Sequence, residues 1–325
     1  MAENKALRDA YGEGLAELGK QYLNLFVLDA DLTKSTKTET FKKAFPDRFI
    51  NCGIAEGNMM SVAAGMASCG NIVFASTFAM FAAGRAYEQI RNSIGYPKNN
   101  VKIVATHAGL NIGEDGATHQ CLEDMALMRA IPGMVVISPS DAVQTKAALK
   151  FACEYKGPVY IRLGRLPVPV VYNEDYKFEL GKSDMIVDGD FVTLMYTGPF
   201  YTLTQEIREI LATKNLFARI VDMSSIKPID TQAVVSALND TGMIVTIEDH
   251  NIYGGLGGAV SECATGVKME KRSAGMEVLK IGSQDRFGKS GTPAELLEEY
   301  GFNAKVIAKK IIEIKCPELL GAFDF

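Results

Sequence analysis

Cysteine is sparse in this chain and never closely paired. Cys52, Cys69, Cys121, Cys153, Cys263 and Cys316 are scattered with no CxxC spacing, which argues against a zinc ribbon or a disulfide framework and suits reduced thiols. Excess positive charge is also missing. With 34 basic against 39 acidic residues the formal charge is −5, which gives no support to nucleic-acid or membrane-surface binding. No apolar run is long enough for a bilayer, since the most apolar window, Ile72 to Ala83, is short and contains Ser76 and Thr77. The N-terminus lacks a signal-peptide layout and opens on a helical pattern of Ala6, Ala10, Leu15 and Leu18 among charges. Neither internal repeats nor low-complexity tracts occur. The expectation is a cytoplasmic, soluble protein with no nucleic-acid or membrane partner.

What remains is ordinary globular composition, 47% apolar and 22% charged over 325 residues, enough for two full cores. Short apolar runs alternate with amphipathic stretches. Strands are expected at Leu25–Leu28, Phe49–Cys52, Ile72–Ala75, Val101–Ala105, Met134–Ile137 and Val159–Leu163. Several are apolar throughout, the mark of strands buried on both faces of a parallel sheet. Asp141 is placed to cap a helix running to Tyr155, stopped by Gly157-Pro158. The prolines of Leu166-Pro167-Val168-Pro169 then interrupt the pattern and read as a linker. Beyond it, strands are expected at Phe191–Met195, Ala218–Val221, Met243–Ile247 and Val278–Ile281. Helices are expected near Thr202–Thr213, Thr231–Asn239, Gly257–Thr265, Pro293–Tyr300 and Ala304–Ile314. The reading is an α/β chain of two doubly wound, mostly parallel sheet domains, 1–165 and 186–325, joined by a linker over 166–185.

The first domain turns on the stretch from Phe49 to Ala67. A short strand ends near Gly53, and Met59, Val62, Ala63 and Met66 then follow the i, i+3, i+4, i+7 spacing of one helical face. Glu56 therefore stands at a strand-to-helix junction. Such an acid can simply complement the helix dipole. Its apolar flanks equally suit a desolvated carboxylate tuned for proton transfer.

Two loops after strands add to this. Ser76-Thr77-Phe78-Ala79-Met80-Phe81 carries two phenylalanines at core-like spacing, yet at a strand end where ligands dock. The run from His107 to Gln120 is glycine-rich and holds two of the three histidines, with Glu114 and Asp115. His107, Asp115 and His119 do not follow a recognised metal-ligand spacing. In the second domain, Gly254-Gly255-Leu256-Gly257-Gly258 departs from G-x-G-x-x-G at Val260. A tight turn with close helix packing is preferred there over a phosphate cradle.

Taken together and in order, these motifs resemble the transketolase family, specifically its pyrimidine-binding and C-terminal domains, over nearly the whole chain. The resemblance rests on Arg8 with Ala10-Tyr11-Gly12, Leu28-Asp29-Ala30-Asp31-Leu32 with Ser35, Pro46-Asp47-Arg48, Gly53-Ile54-Ala55-Glu56, Ser76-Thr77-Phe78, Gln89-Ile90-Arg91 and the run from His107 to Gln120. In the second half, Ile226-Lys227-Pro228, Glu248-Asp249-His250, Ser290-Gly291 and Pro293-Ala294-Glu295-Leu296-Leu297 also match. The departures are Gly57, where the family commonly has glutamine, and the spacing from Phe81 to Arg85.

The resemblance implies thiamine diphosphate chemistry. Glu56 matches the glutamate that bonds N1′ of the aminopyrimidine and favours the tautomer that deprotonates the thiazolium. Phe81, with Phe78 beside it, matches the aromatic that stacks on the pyrimidine, and Asp31 an acid near the thiazolium. His107 and His119 match residues that bond sugar hydroxyls or relay protons, and Asp115 the acid that reads a substrate hydroxyl. Arg8, Ser35 and Arg165 match positions that hold a sugar phosphate, with Arg162 the alternative to Arg165. The family's diphosphate- and metal-binding domain carries Gly-Asp-Gly followed by Asn-Asn. Here Asn99-Asn100 occurs without a preceding Gly-Asp-Gly. The chain is therefore expected to be the second subunit of a split transketolase, passing a two-carbon ketol unit from a ketose phosphate to an aldose phosphate. Magnesium or calcium would be held mainly by an N-terminal, diphosphate-binding partner in an α2β2 assembly, and this chain would also pair with its own copy. The competing expectations are the β subunit of a 2-oxoacid dehydrogenase E1 component and a catalytically silent partner.

Overall fold

The computed structural model describes residues 4–266 and 277–323. Its strands, in chain order, are β1 Asn4–Ala6, β2 Leu25–Asp29, β3 Phe49–Asn51, β4 Ile72–Phe78, β5 Val101–Thr106, β6 Val135–Ile137, β7 Val159–Arg162, β8 Pro167–Pro169, β9 Asp184–Val187, β10 Val192–Tyr196, β11 Ala218–Asp222, β12 Ser225–Lys227, β13 Met243–Asn251 and β14 Glu277–Ser283. Every strand expected from the apolar runs is present.

A seven-stranded sheet has the order β12-β6-β7-β5-β4-β2-β3, and a five-stranded sheet the order β14-β13-β10-β11-β9. Both are parallel except at one edge, where β12 and β9 run antiparallel to their neighbours. Strands β4 and β5 are buried at every residue, as central strands covered on both faces must be. The expected α/β architecture of two doubly wound sheets is thus found.

Four short strands carried no periodic signal: β1, β8, β9 and β12. Strand β8 lies inside the segment expected to be a linker and pairs antiparallel with β1, setting Val168 opposite Lys5. Its two prolines are tolerated because the pair forms its own two-stranded sheet rather than entering a larger one. Strand β12 extends the sheet of the first half although it follows β11 of the second, so the halves share backbone hydrogen bonds.

The rest of that segment is anchored by side chains. Asp141 caps the helix Ala142–Glu154 through the Gln144 amide and also accepts the Val171 and Tyr172 amides. Asp222 accepts from Ser140 Oγ at 2.5 Å and from the Tyr172 hydroxyl at 2.8 Å. Asp184 accepts from both the Tyr172 and Tyr176 hydroxyls. Burial pushes the Asp222 carboxyl up to about 7, against the opposing effect of these hydrogen bonds.

The Gly254–Gly258 segment packs as a turn, as preferred. The Leu256 and Gly257 amides that open the following helix donate to Glu248 at 2.6 and 2.7 Å. An internal carboxylate thus fills the place an anion would take.

Candidate active site

The residues singled out by sequence collect at the carboxyl ends of the parallel strands, where doubly wound sheets bind ligands. Asp31 follows β2, Glu56 follows β3, Phe78 ends β4, His107 follows β5 and Arg165 follows β7. Arg8 comes to the same end from the start of the helix Leu7–Gln21.

Glu56 is the first residue of the helix Glu56–Ser68, reached through Gly53 at φ +69°. It is only 4% exposed. Arg85 is the donor that reaches it among the described residues, with Nη1 at 3.1 Å from Oε1. Phe81 and Arg85 bound a wide, π-type turn, a form of helix often found at functional sites. That turn lays the guanidinium 4.0 Å above the Phe81 ring. Phe78 stacks on Phe81 at 5.7 Å and on the His107 ring at 4.0 Å. His119 meets Phe81 edge-on at 5.2 Å. A continuous aromatic wall results, backed by buried Ile112.

His107 sits at φ +58°, a conformation costly for a residue with a Cβ. Arg8 Nη1 lies 3.3 Å from Nε2, and the Thr106 hydroxyl 2.9 Å from Nδ1. Because a guanidinium only donates, Nε2 accepts and Nδ1 carries the hydrogen. Burial, then the charges of Arg8 and Arg165 and the nearby His119, push this imidazole down to about 3. The imidazole is thus neutral at ordinary pH, with Nε2 engaged by the Arg8 cation and Nδ1 by the Thr106 hydroxyl. Arg8 also donates to the Ser35 carbonyl at 3.1 Å, and its buried Nε has no partner.

Asp31 is exposed at φ +65°, and its carboxylate accepts from Asn51 at 2.8 Å. Asp115 is exposed at the end of the tight helical turn Leu110–Asp115. The two arginines separate clearly. Arg162 is 3% exposed and bonds Asp124 through Nε at 2.9 Å, with Nη2 on the Cys121 and Asp249 carbonyls. Arg165 is partly exposed and donates to the Ile112 carbonyl at 2.7 Å, with Glu114 3.7 Å away.

Three residues of the site were not proposed from sequence. Arg85 was visible only as a spacing departure, though its i, i+4 relation to Phe81 carries the contact. Asn111 and Asp249 meet across 138 positions of chain, a separation that leaves no local signal. The third histidine, His250, stands apart: it is fully buried, with Nδ1 2.7 Å from the Asn251 carbonyl. No group of three or more His, Cys, Asp or Glu side chains is placed for a metal ion among the described residues.

Such a site, on a doubly wound domain followed by a second one, defines a class that sequence comparison makes specific. Residues 3–170 match the transketolase pyrimidine-binding domain, and residues 181–307 match the transketolase C-terminal domain. The chain belongs to the transketolase family. A Methanocaldococcus jannaschii protein named as a transketolase C-terminal section is 50% identical over 95% of this chain and 96% of its own length. One of the subunits of the apulose-4-phosphate transketolase of Phocaeicola vulgatus is 36% identical over 96% of this chain and 99% of its own. Human transketolase is 37% identical over 94% of this chain, which spans 48% of it. Among solved structures, a split-gene transketolase described as an inactive β4 tetramer is 48% identical, with a TM-score of 0.85 over 96% of this chain and all of that one.

Proposed function

We propose that this chain is the pyrimidine-side subunit of a split transketolase. With a separate diphosphate-binding subunit it moves a two-carbon ketol unit from a ketose phosphate to an aldose phosphate. The observation that carries the reading is the buried Glu56 carboxylate joined through Arg85 to the stacked Phe78–Phe81 pair. Relatives of matching length, one of them named as a subunit of a sugar-phosphate transketolase, support the division into two polypeptides.

Transketolases use thiamine diphosphate, which supplies a stabilised carbanion for breaking and making carbon–carbon bonds. The donor set here fits its aminopyrimidine: a buried carboxylate to share a ring proton and, once the half-exposed Arg85 swings off Phe81, an aromatic face for stacking. Glu56 would hold that proton, Phe81 and Phe78 would hold the ring, and Asp31 would serve the thiazolium. The diphosphate, with magnesium or calcium, falls mainly to the partner. A neutral His107 and the adjoining His119 bond hydroxyls and move protons, while Asp115 selects a hydroxyl. Arg8, with its unpartnered Nε, and the accessible Arg165 hold the sugar phosphate beside Ser35. In this reading the assembly is α2β2, self-paired through this chain and cytoplasmic.

The test is reconstitution. Ketol transfer should appear only when this chain is mixed with a diphosphate-binding transketolase subunit, thiamine diphosphate and magnesium. Robust transfer by the purified chain with cofactor and metal alone would overturn the two-subunit reading.

A further inference from the structure

We propose that Asp249, on the second domain, is the positioning residue for the loop that carries the substrate-facing side chains. The inference rests on the functional reading above but names a residue to which that reading gives no role.

The loop closes on itself where the Gly109 amide donates to the Cys121 carbonyl at 3.0 Å. Between those ends lie Asp115 and His119, and the Ile112 carbonyl that holds Arg165. The first amides of its helical turn point out of the first domain and need an acceptor. Asp249 supplies it, accepting from Leu110 N at 2.8 Å, Asn111 N at 3.4 Å and Asn111 Nδ2 at 2.7 Å. The fit is tight: Gly109 has φ +80°, and a Cβ there would collide with the Asp249 carboxylate. Two flanking contacts keep β13 in register. The Asp249 carbonyl accepts from Arg162 Nη2 at 2.5 Å, and the Asn251 amide donates to Leu122 O at 2.8 Å. Farther along the loop, Gln120 Nε2 donates to the Lys289 carbonyl at 2.9 Å, a second hold from the same domain. Asp249 is fully buried, so its carboxylate reaches no solvent and no substrate. It acts through the loop.

Asp249→Asn tests this. One side-chain oxygen becomes an N–H group facing the Asn111 donors, so the two bonds from Asn111 are lost while the Leu110 bond can remain, with little change in volume. Asp222→Asn, a buried carboxylate elsewhere between the domains, is the control for lost stability. In the full chain alone, hydrogen exchange read by mass spectrometry over residues 109–121 should be at least about tenfold faster in Asp249→Asn than in wild type or Asp222→Asn. In the reconstituted complex, KM for an aldose phosphate should rise at least about tenfold while cofactor affinity is retained. If Asp249→Asn does not fold, Asn111→Ala removes one of the three hydrogen bonds and should show the same pattern at smaller size. Unchanged loop exchange, or faster exchange with unchanged KM, would overturn the positioning role. Failure of the wild-type complex to transfer ketol units would instead overturn the functional reading, while the exchange result would still stand or fall by itself.

Discussion

Glu56 and Arg85 lie 29 residues apart in the chain and 3.1 Å apart in the fold, at Oε1 and Nη1. The carboxylate is buried and the guanidinium half exposed. The arginine therefore reaches in from the rim, one flat face on Phe81, and holds the acid's orientation without sealing it off. An acid that only balanced a helix dipole would need neither the burial nor the aromatic neighbour.

Glu56→Gln separates these roles. It keeps size and hydrogen bonding but removes the negative charge. Proton-sharing residues are typically worth about 10² to 10⁴ in rate, whereas a helix-dipole partner contributes only about 0.3 to 1 kcal/mol to stability. In the reconstituted complex, exchange of the thiazolium C2 proton should slow by at least about 10², with little change in melting temperature. Near-normal exchange in the folded variant would remove Glu56 from the chemistry.

Arg165→Ala and Arg162→Ala should fail in different ways. A guanidinium on a phosphate far from the reacting carbon binds ground and transition states alike, so loss of Arg165 or of Arg8 should raise KM more than it lowers kcat. Arg165→Ala should also discriminate less between phosphorylated and free sugars. Arg162→Ala leaves the Asp124 carboxylate buried without its counter-charge, which costs about 3 to 5 kcal/mol. Denaturant unfolding of both variants gives the comparison, and equal destabilisation by Arg165→Ala would argue against a phosphate role.

His107 makes stability depend on pH in a definite direction. Its folded value, about 3, lies below the ordinary 6.5, so between these values the unfolded chain binds the proton more readily. The stabilising contribution is present above pH about 6.5 and is lost as pH falls towards about 3, at no more than ~1.4 kcal/mol per pH unit. Asp222, raised rather than lowered, works in the opposite sense, so the difference between wild type and His107→Gln is the quantity to follow. That difference should shrink as the pH falls from 6.5. A difference independent of pH would mean that His107 is not held neutral by the fold.

Much of this molecule follows from its sequence because the signals are local. A strand buried on both faces needs an apolar run, as at Ile72–Ala75, and a helix needs a cap within its first turn, as at Asp141. Those demands are met by neighbours along the chain, so the central strands of both sheets and the doubly wound class could be read directly. The ordered motifs pointed to the same family as the full comparison. Tertiary structure decided which long-range partner each polar group found. Arg162 and Arg165 are alike in sequence context, yet Asp124, 38 positions away, draws one of them into the interior. The glycines after Glu248 could have cradled a phosphate until that carboxylate took the helix amides. Strands β1, β8, β9 and β12 are too short to carry a period and exist because a partner strand offers hydrogen bonds. Asp249 reaches Leu110 across 139 positions. Burial makes such a polar contact worth forming, and burial is a property of the packed fold rather than of any segment of sequence.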